Sequence, residues 1–393
     1  MNHEVVKELF TWPVIFVVIL FAPLLGKRLM LPVIVVEILF GILMGRSWLN
    51  IIPETSELLD FFSEFGLVYL MFLAGLEVDF RELKGRKRKA ILIALASIGV
   101  PFIAGWWLGP LVGVAPLLSG TILCTTSLGL VLPLSKELGL TREHQHVLLA
   151  SVFIVDIISI FLLAFAITLS EGAVQAAFGY SFALILLLFL VPWILNHFGV
   201  PERVDKWIRE KGHFDVEVRF AFALIGVMAA LTELLEFHSI MGAFIAGLII
   251  SELDAETSDL NRRLESFGYG FFIPLFFLLM GARMDLPLLF SDMSNVWLLI
   301  LLIVVGISSK AVGVFFASRI AGFKNREAWA NGLIHSARLS LIIAAVKIGL
   351  ELGLVDETNF SLFMILAIAS AIIGPIAARA LLGGEKKPQP EPA

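Results

Sequence analysis

The sequence predicts an all-α polytopic membrane protein of about 13 transmembrane helices, and three observations carry that expectation. Hydrophobic residues make up 59% of the 393. The mean hydropathy is +0.93. Apolar runs of about 20 residues recur with short polar breaks, the length a helix needs to cross a hydrocarbon layer. Thirteen runs are legible, at roughly 10–26, 31–45, 58–78, 90–113, 117–138, 146–169, 177–198, 217–236, 239–252, 268–286, 295–318, 328–350 and 359–382. They leave no room for a soluble domain, so 1–382 is expected to form one transmembrane unit and the Pro-rich 383–393 a disordered cytoplasmic tail. The single cysteine, Cys124, excludes an intramolecular disulfide.

Charge sets the expected orientation. Of the 29 Lys and Arg, 23 follow odd-numbered segments, and only Lys7, Arg46 and Arg283 lie on the other side. By the positive-inside bias the C-terminus is cytoplasmic and the N-terminus outside. Lys310, Arg338 and Lys347 fall within apolar segments. The first segment has its basic flank after it, so it reads as a retained helix and not as a cleaved signal peptide.

An internal repeat organises the segments. Gly41 and Gly247, Gly75 and Gly281, and Asp79 and Asp285 all share an offset of 206. These pairs set segments 2 and 3 against segments 9 and 10, an odd number of crossings apart, so the halves are inverted in the membrane. Inverted repeats are typical of secondary transporters, whose substrate sites lie near the midplane at discontinuous helices. Segment 5 carries Thr125, Thr126, Ser127 and Gly129, with Pro133 a turn later. Segment 12 carries Gly332, His335, Ser336, Arg338 and Ser340. Gly129, Pro133, His335 and Ser336 are the residues expected to break the helices, because hydroxyls, glycine and proline all weaken a helix ladder. Close helix packing is the other role open to such small residues.

Asp156 lies near the middle of the run 147–169, where a charge is costly enough to need a function. A carboxylate can hold a proton or a monovalent cation but not both, since protonation removes the charge that binds the cation. Asp156 is therefore the leading candidate for the ion-carrying residue, the alternative being a hydrogen bond between helices. Thr125, Thr126 and Ser127 can add oxygen ligands for an alkali cation. Lys310 either pairs with Asp156 when the cation is absent or neutralises helix ends. Arg338 competes for the second role. Glu37 either lines an ion path in segment 2 or supports helix packing, and His335 could sense pH, although a lone histidine in a helix break is more often a hydrogen-bonding residue. No His-Glu-x-x-His, Gly-x-Ser-x-Gly or Walker motif occurs, so enzymatic chemistry and nucleotide coupling are not expected and energy must come from an ion gradient.

Taken in order, several stretches resemble the monovalent cation:proton antiporter-2 family, which includes bacterial sodium/proton exchangers and potassium efflux systems. They are Leu31-Pro32 through Glu37, Gly41 and Gly45; Phe65-Gly66 through Phe72 to Glu77; Thr125 through Pro133; Asp156; Phe271 through Phe277; Lys310; and the Arg338 region. The resemblance implies a sodium/proton antiporter fold with inverted five-helix repeats and two crossed discontinuous helices. It implies a core domain from segments around 58–169 and 268–382, with the remaining helices forming a dimerisation scaffold in a homodimer. The implied activity is exchange of Na+, or of K+ or Li+, for H+ by alternating access in a prokaryotic inner (plasma) membrane, with no cofactor and no nucleic acid. The chain departs from the family pattern in two places. Val155 stands where charge-moving exchangers carry a second acid, and Leu339 and Ser340 replace the glycine and acid that follow the arginine of the twelfth helix. With one carboxylate, electroneutral one-for-one exchange is expected, unless Lys310 releases a second proton. Potassium efflux is the alternative within transport. A non-transporting membrane sensor is the alternative from another class.

Overall fold

Twelve of the thirteen apolar runs fall on residues described in the computed structural model, and all twelve are helical. The described residues are 3–29, 31–53, 56–77, 87–138, 140–170, 216–235, 238–253 and 258–382. The run 177–198 and the tail 383–393 lie outside them. In chain order the helices are α1 (His3–Leu29), α2 (Val33–Met44), α3 (Glu57–Leu76), α4 (Lys87–Leu108), α5 (Pro116–Cys124), α6 (Leu128–Glu137), α7 (Arg142–Ser170) and α8 (Val216–Leu234). They continue as α9 (Ser239–Leu253), α10 (Ser258–Phe267), α11 (Ile273–Ala282), α12 (Leu286–Phe290), α13 (Met293–Ile320), α14 (Asn325–Ser336), α15 (Ser340–Glu351) and α16 (Glu357–Leu382). Among the described residues, eight helical stretches are long and apolar enough to cross a membrane. This is an integral membrane protein. One boundary differs from the sequence reading: the polar α10 runs into α11 through the π-turn Gly268–Phe272, so that span begins earlier than 268.

The chain divides into two compact units. The first comprises Met1–Pro23, Glu37–Asp79 and Ile167–Arg283. Its core joins Ile15, Val18, Met44, Ile52 and Leu59 to Leu275, Leu278 and Leu279. Here the repeat glycines meet. A Cβ on Gly41 would lie 2.0 Å from the Leu278 carbonyl oxygen, and one on Gly247 would lie 2.1 Å from that of Phe72. Likewise, a Cβ on Gly281 would lie 2.1 Å from the Ile38 carbonyl, and one on Gly75 would lie 2.1 Å from that of Phe244. Each contact is the image of the other under the offset of 206, so the helix pairs α2/α11 and α9/α3 pack in the same way. Backbones this close leave no space for any side chain, which is how small residues bring membrane helices together. Tyr69 adds a hydrogen bond from its hydroxyl to the Leu264 carbonyl at 3.0 Å.

The second unit comprises Leu24–Val36, Phe80–Ala166 and Met284–Ala393. The Ser119 hydroxyl donates to the Gly105 carbonyl at 2.7 Å and ties α5 to α4. Gly332 brings α14 onto α13, where a Cβ would lie 2.3 Å from the Ala311 carbonyl. The division differs from the one read from sequence. The segments near 58–78 and 268–286 were placed with the site-bearing helices, whereas α3 and α10–α11 fall in the first unit. The glycine contacts give the reason, since α3 is bound backbone to backbone to α9, and α11 to α2.

Candidate ion-binding site

Segments 5 and 12 are each interrupted. In segment 5, α5 ends at Cys124 and α6 starts at Leu128, with Thr125 (φ −60°, ψ 156°) and Ser127 (φ −135°, ψ 107°) extended. In segment 12, α14 ends at Ser336 and α15 starts at Ser340, with Ala337 extended at φ −68°, ψ 110°. The gaps are therefore Thr125–Ser127 and 337–339. Gly129 and Pro133, expected to break the helix, lie inside α6 instead, and His335 and Ser336 are the last two helical residues of α14. Pro133 is the sixth residue of α6, where it removes the N–H that would reach the Gly129 carbonyl and weakens the half-helix without ending it.

The two gaps touch. The Thr126 hydroxyl donates to the His335 carbonyl at 3.3 Å, and the Ser127 and Ser340 hydroxyls lie 3.4 Å apart. Asp156, on α7, comes to the same place, where its Oδ2 accepts from the Leu128 N–H at 3.3 Å. That N–H is the first of α6, and a carboxylate is stabilised at a helix N-terminus by the unpaired amides and the helix dipole. The opposite charge sits at the opposite helix end. Lys310, fully buried on α13, donates to the Cys124 carbonyl at 2.5 Å and to that of Thr125. These are unpaired carbonyls at the C-terminus of α5, where a cation is favoured. The Lys310 ammonium thus lies at a helix end.

Val155 precedes Asp156 on α7. It packs in an apolar cluster with Ala94, Ile98 and Cys124. Arg338 stands in the second gap, fully buried. Its Nη2 donates to the Gly306 carbonyl on α13 at 2.7 Å. Its Nε and Nη1 make no hydrogen bond among the described residues. Thr125 turns its own hydroxyl back to the Ile122 carbonyl at 2.9 Å. Thr126, Ser127, Asp156, Lys310, Arg338, His335 and Ser336 thus all belong to one unit. Glu37 falls in the first unit, buried on α2, with Oε2 making no hydrogen bond among the described residues.

Sequence reasoning overlooked three participants: the Leu128 amide, Ser340 and Ser151. Leu128 offers no side-chain signal. Ser340 was legible as one of the polar residues of segment 12 but not as a site oxygen. Ser151 lies five residues before Asp156 on α7, and its hydroxyl is 3.0 Å from His335 Nε2.

Apolar helices enclosing two interrupted ones, with a carboxylate and an ammonium at opposite half-helix ends, are the architecture of an ion-coupled secondary transporter. The family model for the transmembrane region of the sodium/hydrogen exchangers matches residues 16–383, and the chain belongs to this family. It is 31% identical over 380 residues to the probable Na(+)/H(+) antiporter 3 of Methanocaldococcus jannaschii, covering 93% of this chain and 94% of that one. It is 29% identical to the Na(+)/H(+)-K(+) antiporter GerN of Bacillus cereus, covering 85% of this chain and 86% of the relative. Among solved structures, the sodium proton antiporter MjNhaP1 from Methanocaldococcus jannaschii superposes with a TM-score of 0.62 at 15% identity, covering 96% and 98% of the two chains. The fold is that of the sodium/proton antiporters.

Proposed function

We propose that this protein exchanges Na+ for H+ by alternating access, one for one, with Asp156 as the group that carries either ion. Its placement within the family is with the monovalent cation:proton antiporter-2 type, on the motifs from Leu31 to Arg338. The working form is a homodimer in a prokaryotic plasma membrane with the N-terminus outside, an orientation supported by 23 of 29 basic residues lying on one side. The names of the relatives support the activity.

The observation that carries this reading is the Asp156 carboxylate held by the Leu128 amide where the two gaps meet. In one half-cycle the ionised carboxylate binds the cation, with Thr126, Ser127 and Ser340 supplying oxygens of the kind an alkali ion prefers. In the other half-cycle it returns protonated. Lys310, bonded to two carbonyls at the end of α5, balances the helix dipole and is not counted as a carrier. One titrating group then moves one proton per cation.

The test is Na+-driven proton flux in proteoliposomes. Asp156→Asn keeps the shape but cannot trade a proton for a cation, so coupled flux is expected to vanish while the folded protein elutes as the wild type does. Wild-type exchange by the Asn variant would overturn the assignment. A second reading, K+ in place of Na+, draws on the relative named for both ions, and the same assay with K+ alone decides it.

A further inference from the structure

His335 is fully buried, and each of its polar groups has a partner on a different part of the unit. The Asn331 carbonyl can only accept, so His335 Nδ1, 2.9 Å away, carries the proton. The neutral ring then accepts at Nε2 from the Ser151 hydroxyl, 3.0 Å away on α7. That hydroxyl has a competing acceptor in the Leu148 carbonyl at 2.8 Å. The main-chain carbonyl of His335 takes the Thr126 hydroxyl at 3.3 Å.

These bonds close a circuit. From Thr126 it crosses to the His335 carbonyl, passes through the imidazole to Ser151, and climbs α7 to Asp156. From there it crosses at 3.3 Å to the Leu128 amide and returns through two residues to Thr126. One turn below, Asn331 doubles the attachment of α14, its side chain meeting His144 Nε2 at 2.5 Å and Ser318 Oγ at 3.3 Å. With the circuit closed, the height of Asp156 relative to both gaps is set from two sides. Removing the imidazole opens the circuit on the α14 side, between Ser151 and Thr126.

We infer that His335 is a positioning residue for the Asp156 carboxylate, acting through Ser151 and the Thr126 crossing to set cation affinity. The inference rests on the reading of Asp156 as the carrier. It also gives Ser151 a role that its position on an apolar helix does not suggest.

The two ring nitrogens can be separated by mutation. Asn at 335 reproduces the Nδ1 donor to Asn331 and drops the link to Ser151, whereas Gln reaches as far as Nε2 and can keep that link. His335→Asn is expected to raise the apparent KM for Na+ by on the order of tenfold, the scale of one lost buried hydrogen bond, with the maximal rate changed far less. His335→Gln recovers most of that loss. Ser151→Ala raises KM as much as His335→Asn, and the double variant Ser151→Ala/His335→Asn is no worse than either single one, because both open the same circuit.

Equal KM values for the Asn and Gln variants would overturn the inference. So would additive single variants, or a loss confined to maximal rate or to the yield of folded protein. If His335→Asn does not fold, Ser151→Ala alone decides through its KM. Asp156→Asn is the control. Coupled flux surviving in it rejects the carrier assignment itself, whereas its loss together with wild-type KM in Ser151→Ala and His335→Asn rejects only the role of His335.

Discussion

Substituting Gly247 by alanine probes the symmetry of the first unit. The new Cβ would lie 2.1 Å from the Phe72 carbonyl oxygen, 2.7 Å from the Leu76 nitrogen and 2.9 Å from the Gly75 carbonyl carbon. Non-bonded heavy atoms settle at about 3.5 Å or more, so α9 and α3 must part by more than 1 Å, roughly, along a contact made of main chain on both sides. No rotamer change can relieve it. Overpacking of this kind costs about 1–3 kcal/mol, and a contact this short belongs at the upper end. Alanine regains up to about 1 kcal/mol of helix propensity over glycine, which leaves a net loss of about 2 kcal/mol. Gly41→Ala meets the Leu278 carbonyl at 2.0 Å and the Ala282 nitrogen at 2.9 Å, and should lose the same amount. Gly99 on α4 has open space where its Cβ would be, so Gly99→Ala should be neutral or stabilising by up to about 1 kcal/mol. Thermal unfolding of the three purified variants, followed by tryptophan fluorescence in detergent, provides the comparison. The expected shift is a few degrees downward for the first two and none or upward for the third. If Gly41→Ala and Gly247→Ala are as stable as wild type, or if only one is destabilised, the symmetric close packing is refuted.

Two further outcomes follow from the charges. If Lys310 holds only the end of α5, an imposed membrane voltage leaves Na+-driven proton flux in wild-type proteoliposomes unchanged. A voltage-dependent flux rejects one-for-one exchange, and loss of that dependence in Lys310→Gln would name Lys310 as the second proton carrier. At the end of α3, burial and the neighbouring Glu265 raise the Glu77 carboxyl to about 7, against a hydrogen bond from the Tyr269 hydroxyl. A carboxyl whose pKa is raised on folding favours the folded state when protonated, and that advantage fades as pH rises from 4.5 through about 7. Glu77→Gln should therefore gain Tm relative to wild type as pH is raised from 5 to 9. A constant difference across that range would count against the burial argument.

Run length against bilayer thickness, the cost of a lone acid in the 147–169 run, and the constant offset between Gly41, Gly75 and their repeats were legible without coordinates. Each is a property of one stretch of chain measured against a known solvent, or of two stretches compared with each other. The presence of interruptions in segments 5 and 12 was legible on the same terms, from their hydroxyl and glycine content. Their placement was not: Gly129 and Pro133 proved compatible with α6, and the extended residues are those whose main-chain groups find Lys310 and whose hydroxyls reach across the crossing. The same holds for Lys310, for which a helix end and Asp156 were both open until its bonds to the Cys124 and Thr125 carbonyls were seen. His335 reads as a lone histidine in sequence, because Ser151 and Thr126 lie 184 and 209 residues away. Tertiary structure alone decided these matters. A buried polar group is committed by whichever partner reaches it first in space, and nothing in its own stretch of chain records which one that is.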